Sequence, residues 1–151
     1  MSIRVFRRIV VVISALVWFA GASLPAQAAV AAPARCDTAQ AAKFRAAADR
    51  YAAHGQYADA AAWYLAATHA TSECRTPDDT IVRATSLFAA GTALALNGDF
   101  LRGLGLLQTA QSQLTAVAAS GDPIMAPKAR AILDLIASVI GEIDTVARGS
   151  M

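Results

Sequence analysis

Two stretches of this chain repeat one another at an offset of 43 residues, and that repetition limits the possible folds more than any other feature. Around Gly55 the sequence reads FRAAADRYAAHGQYADAAAWYLAA, and around Gly98 it reads LFAAGTALALNGDFLRGLGLLQTA. Each copy has a large apolar residue, a small one four positions on and a second large one. A glycine, an aromatic residue, and then another small and large residue follow. A period of this length marks a supersecondary unit that buries its apolar face only by stacking on a neighbour.

The unit is helical. From Asp37 onward Ala, Leu, Ile and Arg dominate, all good helix formers except the β-branched Ile, so summed propensity is high. No segment alternates with period two long enough to argue for a strand. Asp37 with Gln40 three residues later predicts an N-cap and a first helix running to about His54, where Gly55 can take the left-handed conformation. The second helix is expected over about Tyr57 to Ala70. Thr76-Pro77-Asp78-Asp79 combines a hydroxyl cap, a first-turn proline and two acids facing the helix dipole, and so opens a third helix. That helix should end at Asn97-Gly98, a fourth should run from Asp99 to about Ala119, and a fifth should follow Asp122-Pro123 and end by Arg148. Phe44, Ala47, Ala48 and Tyr51 share a face of the first helix, as do Leu87, Ala90, Gly91 and Leu94 in the third.

The pattern resembles the tetratricopeptide repeat (TPR) family. Phe44, Ala48, Tyr51, Gly55, Tyr57, Ala60, Tyr64 and Ala67 meet it in the first unit. Leu87, Gly91, Leu94, Gly98, Phe100, Gly103, Leu107 and Ala110 meet it in the second. The resemblance spans about Lys43 to Gln113, and it departs from the family at Ser72 and Thr115, where a proline is common. The linker after the first unit is also several residues longer. The expected fold is all-α: two TPR-like antiparallel helix hairpins plus a C-terminal capping helix, an α-α superhelix. A plain hairpin bundle is the alternative. The family binds an extended peptide or partner helix in a concave groove lined by its first helices. By resemblance that groove would involve Arg45, Asp49 and Ala52, with Phe88, Thr92 and Leu96 from the second unit. Asp49 would repel a terminal carboxylate, so an apolar partner surface centred on Phe88 is the sharper expectation, with burial of Phe88 in the core as the other outcome.

The N-terminus has the layout of a signal peptide. Three arginines in MSIRVFRR precede the apolar run Ile9–Leu24, which stops at Pro25 before Ala26-Gln27-Ala28. The run has 16 residues, short of the roughly 20 that span a bilayer. The expected organisation is a signal over residues 1–28, a short segment 29–36, a helical domain 37–148 and a tail 149–151, with a periplasmic or secreted location. An uncleaved N-terminal anchor is the alternative. Without Arg4, Arg7 and Arg8 the chain has ten basic against eleven acidic residues. It therefore lacks the broad basic field that nucleic acid or anionic lipid would need.

Cys36 and Cys74 are the only cysteines, and an even count in an exported chain reads as one disulfide. They flank the first hairpin and would meet at one edge of it. His54 and His69 stand 15 apart without metal-ligand spacing, so no metal site and no cofactor is expected. Asp78-Asp79 reads as helix capping rather than an acid/base pair, and Arg45 with Asp49 reads as a surface ion pair. No nucleophile, base and acid gather in one place, so the sequence does not point to an enzyme. The functional expectation is a protein or peptide partner, and the alternative is a helical-bundle binder of a small apolar ligand. In the last helix Leu133 and Ile140 widen the apolar face, which implies either packing on two sides within the monomer or a homodimer interface.

Overall fold

The computed structural model describes residues 36–149, and the expected signal segment 1–28, residues 29–35 and the end of the tail lie outside them. Five helices and no strand are present among the described residues: α1 (Thr38–Ala53), α2 (Tyr57–Ala70), α3 (Pro77–Leu96), α4 (Phe100–Ala119) and α5 (Met125–Gly149). The fold is all-α, and none of these helices is long and apolar enough to cross a membrane.

Local chemistry sets the boundaries. Asp37 accepts a hydrogen bond from the Gln40 amide at 2.7 Å. Thr76 caps α3 by accepting from the Asp79 amide at 3.1 Å, with Pro77 in the first turn. Asp99 caps α4, and Asp122 accepts from the amides of Ile124 and Met125 ahead of α5. These bonds satisfy amides that the first helical turn leaves without partners.

The bends at Gly55 and Gly98 are built alike. Their φ angles are +73° and +91°, a region that favours glycine. In the first, Gln56 N–H donates to the Tyr51 carbonyl at 3.0 Å and Gly55 N–H to Ala52 at 3.0 Å. In the second, Asp99 N–H donates to Leu94 at 2.9 Å and Gly98 N–H to Ala95 at 3.0 Å. Both are Schellman motifs, and all four bonded positions correspond at the offset of 43 residues.

Each helix packs antiparallel on the next, and small residues set how closely. Ala48 and Ala60 are fully buried where α1 meets α2. Their counterparts are glycines: a Cβ on Gly91 would lie 2.8 Å from the Gly103 carbonyl oxygen, and one on Gly103 would lie 2.7 Å from that of Gly91. Between the hairpins, Ala60, Ala61 and Tyr64 of α2 form one cluster with Ala90, Ala93 and Leu94 of α3. The last helix lies against α4 and also reaches α3. Ile136, Val139 and Ile143 on it are buried, while Leu133 and Ile140 are half-buried.

Candidate functional site

The expected groove residues divide between two environments. Arg45, Asp49 and Ala52 lie on α1 and are half-buried, as is Leu96 at the end of α3. Phe88 and Thr92 are 1% and 2% exposed, so neither presents a surface to a partner. The Thr92 hydroxyl donates to the Phe88 carbonyl at 2.9 Å, a bond within α3 itself. This corrects the expectation of an apolar anchor at Phe88. The cause is the central position of α3, which packs against α2, α4 and α5. Ten of its 20 residues are buried, against two of 16 in α1, so α1 is the open helix of the pair.

Asp49 is committed inward. Its carboxylate accepts from the Tyr64 hydroxyl of α2 at 2.5 Å, so its partner is this phenol rather than the ion pair expected with Arg45. Burial, then the bond to Asp49 and the charge of that carboxylate, push the Tyr64 hydroxyl well above its ordinary pKa, against a smaller opposing effect of Arg45. The pair ties α1 to α2 and leaves the phenol protonated at any physiological pH.

A second face of α1 was not anticipated. An open cleft of about 460 Å³ is lined by Ala47, Arg50 and Tyr51 of α1, by its C-cap His54, by Gln56 of the bend and by Trp63 of α2. Its floor is aromatic. The Trp63 ring lies 6.5 Å from Tyr51 at an interplanar angle of 16°, and 5.5 Å from Phe44 at 41°. His54 Nδ1 lies 2.7 Å from the Arg50 carbonyl, which can only accept, so Nδ1 carries the proton and Nε2 is the other nitrogen of the ring. No carboxylate is among the lining residues.

The opposite end of the first hairpin is stapled. Cys36 and Cys74 form the expected disulfide with a Cα–Cα distance of 4.8 Å, and Asp37 N–H donates to the Ala70 carbonyl at 2.7 Å beside it. Arg83 of α3 reaches back to this corner, donating to the carbonyls of Thr71 at 2.8 Å and Cys74 at 3.3 Å, and to Gln113 of α4 at 3.3 Å. Asp79 stands near the two sulfurs. Both are consumed in the S–S bond and are not available as thiolate ligands.

Neither family models, nor curated proteins, nor solved structures give a match to this chain.

Proposed function

We propose that this chain is an exported interaction module, a pair of TPR-like hairpins that holds an extended peptide or helix of another protein against the open side of α1. The observation that carries this reading is the equivalence of the two bends, with the same hydrogen bonds at positions 43 apart. Stacked hairpins of one design create extended surfaces that serve recognition, and α1 is the least buried helix among the described residues. The disulfide agrees with an oxidising compartment, and the leader-like N-terminus agrees with export. The cleft opens at the surface of the first hairpin rather than inside the bundle, which favours a macromolecular partner over a small apolar ligand.

The test is site-specific photo-crosslinking in the native envelope. A photoreactive residue at Arg45, Ala52 or Leu96 samples the expected groove, one at Arg50 samples the cleft, and one at exposed Gln111 on α4 is the control. One discrete adduct from the α1 positions, absent from the Gln111 control, is the expected result. An identical smear from every position would refute the proposal.

A further inference from the structure

The repeat itself shows what the cleft would hold. Adding 43 to the lining positions of α1 converts Ala47, Arg50 and Tyr51 into Ala90, Ala93 and Leu94, while Trp63 of α2 becomes Leu106. On α3 those three residues are 0%, 1% and 6% exposed, and what covers them is α2, through Ala60, Ala61 and Tyr64. Leu106 packs against the same cluster. The cleft is therefore the α1 counterpart of a face that, one hairpin later, is a helix–helix interface. Among the described residues no helix plays the part of α2 for α1.

Two differences between the faces identify the occupant. Arg50 stands where α3 has Ala93, and the aromatic pair Tyr51 and Trp63 stands where the second unit has Leu94 and Leu106. A face that merely ended the stack would be polar throughout, yet here the aromatic rings remain half-buried. The charge is one-sided. Arg50 lines the cleft without a carboxylate, Asp49 is bonded to Tyr64, and exposed Asp59 on α2 lies outside the lining. Residues 1–36 contain no Asp or Glu, and Asp37, which follows them, caps the other end of α1 through the Gln40 amide, so neither supplies the complementary charge.

We propose that this face docks an amphipathic helix of a partner protein, with alanine-sized residues on its contact side and a carboxylate opposite Arg50, in the way α2 docks on α3. The inference rests on the interaction-module reading and adds the docking mode and the chemistry of the partner. Small residues give the close approach that Ala60 and Ala61 give against α3, and the carboxylate sets register and excludes basic helices.

The probes are hydrocarbon-stapled, fluorescein-labelled peptides of residues 56–72, the segment that already covers the equivalent face of α3. One carries Glu and another Lys in place of Ala61, and a second pair carries the same changes at Leu65. Anisotropy titration of the full chain should show saturable binding of a Glu peptide and at least tenfold weaker binding of its Lys twin. Arg50→Glu should reverse that preference. Because the Arg50 side chain is exposed, its helical signal and melting curve should match those of the parent. Ala47→Arg, which fills the cleft, should remove binding of both twins. Equal binding of Glu and Lys peptides, an unchanged preference in Arg50→Glu, or no binding at all would overturn the proposal. So would a dimer in light scattering that Arg50→Glu dissolves, because the occupant would then be a second copy. If the peptides fail while crosslinks at Arg45 or Leu96 still trap one protein, the docking mode falls and the interaction-module reading stands.

Discussion

Replacing Gly103 by alanine tests the close approach of α3 and α4. The new Cβ would sit 2.7 Å from the Gly91 carbonyl oxygen and 3.2 Å from the Ala95 amide nitrogen, so it meets backbone that cannot rotate away. Relief requires α3 and α4 to separate along a fully buried seam. Overpacking of this kind costs about 1–3 kcal/mol, and backbone obstruction places it in the upper half of that range. Against it stands a gain of about 0.8–1 kcal/mol from replacing glycine in a helix interior. The net loss is about 1–2 kcal/mol, or roughly 4–8 °C in melting temperature for a helical domain of this size. Gly105, two residues on, is the control, since a Cβ there meets nothing within 4 Å. Gly105→Ala should therefore keep the propensity gain and stabilise by about 0.8–1 kcal/mol. Urea unfolding followed by circular dichroism measures both. Gly91→Ala should behave like Gly103→Ala, and the double variant should lose less than the two losses added, because helices already forced apart accept the second methyl. A Gly103→Ala protein as stable as the parent would refute close approach as the reason for the two glycines.

Removing the disulfide by Cys36→Ser with Cys74→Ser should cost about 4 kcal/mol on the chain-entropy estimate for its 38-residue separation. Hydrogen exchange should then show α1 opening before α3, and equal melting of oxidised and reduced protein would contradict this. Phe88→Ala should destabilise by about 3–5 kcal/mol, as expected for a fully buried aromatic ring. A variant that kept its melting point but lost partner capture would return Phe88 to the surface. The amides of Met125 and Ile124 hold the Asp122 carboxyl below its ordinary pKa. Its stabilising effect is thus present above the pKa of the unfolded chain and lost as pH falls through the lower folded value. Melting curves from pH 6 down to pH 2.5 should fall less steeply for Asp122→Asn than for the parent, and parallel curves would count against the cap.

The helices were legible because their ends are written locally. Asp37, Thr76-Pro77, Gly55 and Gly98 each act within a few residues of themselves, and the observed boundaries lie within one or two residues of those expected. The disulfide was legible for the same reason, since two cysteines flanking one hairpin must meet at its edge. Phe88 was not. Its position on α3 says which way the ring points but not how many helices surround α3, and that number comes from the path of the whole chain. Arg83 left no trace either, because its partners at Thr71 and Cys74 are backbone carbonyls, which every residue has. The cleft is an intermediate case. Its signal lay in the repeat, where Ala47 and Tyr51 match residues of α3 that need a covering helix, but that signal gains meaning only once Ala90 and Leu94 are seen to be covered.

The position of the staple bears on function. With two buried residues in 16, α1 draws less from burial than any other helix, although Asp49 and Tyr64 bind it to α2. Among the described residues α1 has a packed helix on one side only, and a helix so little covered would fray without the bridge. Here the bridge, the Asp37–Ala70 hydrogen bond and the reach of Arg83 to Cys74 all act at one end of the hairpin, away from the bend at Gly55. Covalent closure of the loop stabilises the hairpin without using the face between Ala47 and Trp63. Tyr51 and Trp63 pack their inner sides against the core cluster, and their remaining surface beside Arg50 can stay exposed. In a stack held only by burial more of the α1 surface would have to be covered for the first hairpin to fold, so the disulfide is compatible with the docking face proposed for α1.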